Sequence, residues 1–128
     1  MPRTDILASN SDQTRTINIQ VKTRRCGTWQ TSIDEGKKGT PLADEISFWI
    51  FVDIEKLDSP PVYYIVPDSW MRNDIYEVHQ TYLARHGESR AHNSKSKHHG
   101  ITAKRIEQWK GRWDLLGIFP KKEIVDKA

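Results

Sequence analysis

Three side chains near the start of the chain have the types and spacing for metal-assisted hydrolysis: Asp5, Gln20 and Lys22. In Thr16-Ile17-Asn18-Ile19-Gln20-Val21-Lys22-Thr23, the apolar Ile17, Ile19 and Val21 alternate with Asn18, Gln20 and Lys22. That is the period of a strand with one buried face and one polar face. Gln20 and Lys22 therefore point the same way. Upstream, Thr4-Asp5-Ile6-Leu7-Ala8 reads as a second strand, and the polar, turn-prone Asn10–Arg15 has a length that joins antiparallel neighbours. A hairpin closing near Asp12 and Gln13 sets Asp5 opposite Gln20, Leu7 opposite Asn18 and Ser9 opposite Thr16.

A carboxylate, an amide oxygen and an ammonium converging on a sheet surface can hold a divalent cation and steer a water. Asp5 and a nearby backbone carbonyl are hard oxygen ligands suited to Mg²⁺, which keeps several of its own waters. Lys22 can orient or deprotonate the attacking water, or stabilise the charge that builds on the reacting centre. The same residues also suit a plain solvated hairpin surface.

An Asp on one strand, Ile-Gln-Val-Lys-Thr on the next and Trp29 shortly after resemble the PD-(D/E)XK nuclease superfamily. Its small bacterial members with an IQVKT motif are the nearest likeness. The resemblance covers Thr4 to about Pro67 and, more loosely, the remainder. It implies the restriction-endonuclease-like fold, with Asp5 as the metal-binding aspartate, Gln20 where Glu or Gln stands, and Lys22 as the catalytic lysine. The metal would be Mg²⁺ or Mn²⁺, held by Asp5 and the Val21 carbonyl. Members of the superfamily also place a helix before the aspartate strand, often with an acidic residue that completes the site. Only Met1 to Thr4 stand there in this sequence. The chain starts late, another subunit supplies the element, or the site is incomplete.

Around this hairpin the sequence supplies the remaining elements. Ile46 to Ile54 is aromatic and β-branched with almost no alternation, the pattern of a central strand buried on both faces. Val62 to Val66 is a further strand that pairs with it as a second hairpin. From Asp68 the period changes: Asp68 or Ser69 can cap a helix in which Met71, Ile75, Val78 and Tyr82 share a face, ending near Gly87. Thr102 can cap a last helix with Ile106, Trp109 and Trp113 as an apolar stripe. Those two tryptophans read as docking residues rather than stacking platforms for bases. The expected architecture is α/β (α+β): a central mixed sheet of four to five strands, two hairpins, and flanking C-terminal helices. Residues 1–120 form one domain, and 121–128 a tail that frays or pairs with a partner chain.

The polar stretches between these elements carry the basic groups. Arg24 and Arg25 extend the second strand and would contact phosphates on either side of a cleavage point. Ser32 to Pro41 reads as a mobile surface loop. Glu88 to Gly100, with Lys95, Lys97, His98 and His99, reads as a flexible basic linker, suited to contacting nucleic acid through counterion release. His79 and His86 read as solvated, and Cys26 as a buried or half-buried lone thiol.

The net charge of +3 over 128 residues agrees with a nucleic-acid partner without demanding one. One cysteine excludes an intrachain disulfide. No run approaches a membrane span and Met1–Thr4 has no apolar stretch, so a cytoplasmic protein without a membrane partner is expected.

Three functions compete on this basis. The first is a metal-dependent nuclease acting on DNA. The second is an inactive nuclease-like module that binds nucleic acid, and the third a domain that binds protein through an open sheet edge. A homodimer suits either leading function, because a duplex has two strands and a small sheet has edges to hide.

Overall fold

The described residues form six strands and one long helix. A computed structural model describes residues 5–40, 42–54, 58–86 and 97–119. In chain order they hold β1 (Ile6–Ser9), β2 (Thr16–Arg24), β3 (Trp29–Ser32), β4 (Ser47–Asp53), β5 (Val62–Pro67), α1 (Asp68–His86) and β6 (His98–Ile101). Short 3₁₀ turns occupy Ile33–Glu35, Ala103–Trp109 and Trp113–Leu116. The architecture is mixed α/β. Strands β1-β2-β4-β5 form one sheet, in which β1 runs antiparallel to β2, β2 parallel to β4, and β4 antiparallel to β5. Strands β3 and β6 form a second, two-stranded antiparallel sheet. Among the described residues no helix is long and apolar enough to cross a membrane.

Both expected hairpins are present. Leu7 pairs with Asn18 and Ser9 with Thr16, the register that the turn length implies. The turn is closed from within: Asn10 N–H donates to the Arg15 carbonyl, Thr14 N–H to Asp12 Oδ1, and Gln13 takes φ 59°.

The four-stranded sheet is covered on both sides, which is why β4 has no polar alternation. On one face Trp49, Phe51, Tyr64 and Val66 pack with Met71 and Ile75 of α1 and with Trp29, Ile101 and Ile106. On the other, Ile17, Ile19, Phe48, Ile50 and Ile65 are closed over by Leu116, with Leu115 and Ile118 beside it. Each large apolar side chain so buried contributes about 2 kcal/mol. Parallel register sets Gln20 beside Trp49, Lys22 beside Phe51 and Arg24 beside Asp53, so the polar residues of β2 lie on the α1 face.

That placement corrects the first of several expectations. The polar face of β2 is not simply wet: Gln20 is 8% exposed.

Ser32 to Pro41 is not a free loop either. Ser32 Oγ caps a 3₁₀ turn by accepting from Asp34 N–H, Lys37 N–H donates to the Arg72 carbonyl, and Gly39 N–H donates to Asn73 Oδ1. Gly36 is required by proximity: a Cβ there would stand 3.0 Å from the Tyr76 backbone nitrogen and 3.1 Å from Ile75 Cγ2.

The end of the supposed linker, His98–Ile101, is a strand paired with β3. Alternation decides it, because His99 and Ile101 turn inward while His98 and Gly100 do not. Cys26 is exposed, on the bend after β2.

The last helix is broken. Ile106 has non-helical angles (φ −117°, ψ 16°), Gly111 turns the chain at φ 64°, and its N–H donates to the Tyr63 carbonyl. A straight helix would hold Trp109 and Trp113 on one stripe. Instead Trp109 meets Trp70 edge-on at 5.4 Å, while Trp113 meets Tyr63 at 5.3 Å on the opposite side of the sheet. The chain must wrap the β5 edge to close both cores. Helix α1, in turn, outruns the sheet: Met71 and Ile75 are buried, Val78 is exposed, and Tyr82 stacks on His79. The side chain of His86, most of the 88–100 segment and the 121–128 tail lie outside the described residues.

Candidate active site

Strand β2 is longer than β1, and the motif residues sit where β1 gives out. Asp5 N–H donates to the Ile19 carbonyl at 2.9 Å, although the ladder pairs Ile19 with Ile6, so Asp5 stands one position out of register at the strand end. One step further along β2 a side chain takes over from the main chain: Asp5 Oδ2 accepts from Val21 N–H at 2.8 Å. Asp5 therefore lies against the backbone of β2 at Ile19 and Val21, not in a regular pairing with Gln20.

The orientation of the Val21 carbonyl follows from its neighbours. Asn18 N–H donates to Ile46, toward β4, and Ile19 accepts from Asp5, toward β1. Strand residues alternate in this respect, so the Val21 carbonyl, like its N–H, faces the Asp5 side.

Gln20 is packed beside Trp49, and Lys22 is half-buried with Nζ 6.0 Å from the centre of the Trp49 ring. Asp5, Gln20 and Lys22 are thus brought to one end of one strand pair.

The basic residues fare differently. The Arg24 guanidinium is spent inside the protein: it pairs with Asp53 at 2.8 Å, lies 3.9 Å above the Trp29 ring, and donates to the Gly27 carbonyl. Arg25 is exposed beyond the strand end. Lys97 is exposed and pairs with Asp34 at 3.2 Å across the β3–β6 junction, an interaction of little weight in water. Lys95 lies outside the described residues.

The chain shows no match to any protein-family model, to any curated protein or to any solved structure.

A cation bound at Asp5 would meet oxygen donors, the Asp5 carboxylate and, on the same side of β2, the Val21 carbonyl. Among the described residues no group of three or more His, Cys, Asp or Glu is placed to hold a metal, and the donor set at Asp5 and Val21 is oxygen. It fits a hard, water-rich ion such as Mg²⁺ or Mn²⁺ and not a soft one. The bond from Val21 N–H leaves room, because a carboxylate has about four lone-pair sites.

Behind the motif stands a network that pattern reading missed. Trp49 Nε1–H donates to Asp68 Oδ1 at 2.6 Å, and Arg72 Nε donates to both Asp68 oxygens at 3.0 and 2.9 Å. Arg72 also holds the Glu35 carboxylate at 2.9 Å and the Glu35 carbonyl. Partial burial works against the Arg72 charge, but the bonds and charges of Asp68 and Glu35 outweigh it and raise its pKa above the ordinary value. The i, i+4 spacing of Asp68 and Arg72 was the one visible signal. A cleft of about 520 Å³ opens beside this network, lined by Lys37, Lys38, Leu42, Glu45, Asp68 and Arg72.

The two histidines of β6 anchor or flank the second sheet. His99 Nε2 lies 3.0 Å from Arg105 Nη1, and Arg105 pairs with Asp74 at 2.7 Å. His98 is exposed.

Proposed function

We propose that this chain is a metal-dependent nuclease of the PD-(D/E)XK type, with a restriction-endonuclease-like fold, hydrolysing DNA phosphodiesters. The observation that carries the reading is the 2.8 Å bond from Val21 N–H to Asp5 Oδ2, which sets the carboxylate against the backbone of the Gln-Val-Lys motif.

Asp5 and the Val21 carbonyl would hold Mg²⁺ or Mn²⁺, which supplies Lewis acidity toward a phosphate oxygen, and Gln20 would position the cation or its water. Lys22 orients the water that attacks phosphorus and stabilises charge on the phosphoryl oxygens as the bond to the leaving oxygen breaks. Gln20 is neutral, so the free site attracts a cation weakly and the substrate phosphate completes the attraction. Arg25, Lys97 and Lys95 serve as phosphate contacts, while Arg24 fixes the end of β2. A homodimer would present two such sites to the two strands of a duplex.

A second reading, a catalytically silent module that binds nucleic acid or protein, is favoured by the lack, among the described residues, of any group of three or more metal-ligating side chains and by the buried, neutral Gln20.

Cleavage assays separate the two. Wild type is expected to nick or cut DNA in Mg²⁺ and in Mn²⁺, to stop in chelator, and to lose about 10²- to 10⁴-fold in rate in Lys22→Ala. DNA binding that is salt-sensitive but indifferent to chelator, with no cleavage in either ion at high protein concentration, would replace this reading with the second.

A further inference from the structure

The juxtaposition of Trp49 and Lys22 assigns a role to a residue outside the motif. Trp49 is fully buried, yet its indole edge is held by a carboxylate rather than by apolar packing alone. Asp68 grips the indole N–H at 2.6 Å and is itself pinned by two bonds from Arg72, which Glu35 restrains from the far side. Phe51 stacks along the ring at 5.7 Å with planes 27° apart, so the indole has one orientation. Parallel register sets Lys22 beside Phe51, not Trp49, but the ammonium comes to 6.0 Å from the indole centre, the outer reach of a cation–π contact.

A lysine is a point charge on a flexible stem, and catalysis is sensitive to displacements of about 1 Å. A ring held in one plane by a charged network is a means of confining such a stem.

We propose that Trp49 is a positioning residue for Lys22: the indole face confines the ammonium, and the Asp68–Arg72 pair sets the angle of the ring. What the lysine then does rests on the nuclease reading; its confinement does not.

The test has two arms. In the first, nuclear Overhauser cross-peaks are sought between the Lys22 side-chain methylenes and the Trp49 indole protons in the full chain. Their presence is expected, and their absence in wild type would overturn the proposal whether or not the protein cleaves DNA. In the second, kcat and KM for DNA are compared across Trp49→Phe and Trp49→Leu, with melting curves to establish folding. Trp49→Leu is expected to lose about 100-fold in kcat at unchanged KM, and Trp49→Phe, which keeps a ring face, to recover most of it. Equal kcat values in the two variants would contradict a positioning role. Should Trp49→Leu not fold, Asp68→Ala, which removes the acceptor of the indole N–H without emptying the core, is expected to fall between wild type and Lys22→Ala in kcat; wild-type kcat there would also contradict the proposal. Absence of cleavage by wild type would end the nuclease reading alone, leaving the cross-peaks to decide on confinement.

Discussion

Tyr64 stands where the core meets charge. It is 7% exposed, packs edge-on against Trp29 at 5.6 Å, and lies near the Arg24–Asp53 pair. Burial raises its pKa above the ordinary value, the Asp53 charge adds to this, and Arg24 opposes it. A group whose folded pKa lies above its unfolded one adds stability that is complete below the unfolded value, near 10, and lost as pH rises through the folded value. The melting temperature should therefore fall as pH rises beyond 10, and fall less in Tyr64→Phe. Parallel slopes in the two proteins would show that this phenol does not carry the loss.

At the same scale the sequence was most informative about the motif itself. Asp5, Gln20 and Lys22 could be placed because a strand has period two and a short hairpin fixes register. Trp49, Asp68 and Arg72 were not legible as one group. They come together only when α1 crosses the sheet, and Trp49 is indistinguishable by type from the core residues around it.

Among the elements, β2 and α1 announce themselves by periodicity and β4 and β5 by apolar runs, whereas β3 and β6 do neither. Each is four residues long, and β6 reads His-His-Gly-Ile, with too little apolar content to register as alternation. Their pairing is long-range and is secured by Trp29 opposite Ile101, both buried. The parallel pairing of β2 with β4 was equally hidden, since its crossover runs through β3, a 3₁₀ turn and an ordered loop instead of a helix.

That loop depends on close approach to α1. In Gly36→Ala the new methyl would meet the backbone of Tyr76, which cannot move aside as a flexible side chain can. A loss of about 1–3 kcal/mol in urea unfolding is expected from such overpacking, with faster amide exchange at Lys37, whose N–H bonds to the Arg72 carbonyl. An unchanged unfolding midpoint would mean that the loop is not seated on α1.

Over the whole molecule, two cores on opposite faces of one sheet immobilise β4, and through the parallel register β4 immobilises the motif strand. The working end of β2 lies past the start of β1, where the Asp5 side chain substitutes for a strand partner. A site built this way has a rigid floor, and the motif places one carboxylate on it, that of Asp5. Its affinity for a cation should therefore depend on the negative charge that a nucleic acid brings, and the central claim can be tested at that point.

The direct measurement is calorimetric titration of Mn²⁺ into wild type and Asp5→Ala, each with and without a short DNA duplex. Saturable binding in wild type, strengthened by the duplex and lost in Asp5→Ala, is the predicted result. Titrations of wild type and Asp5→Ala that coincide with the duplex present would contradict a metal site on the first hairpin.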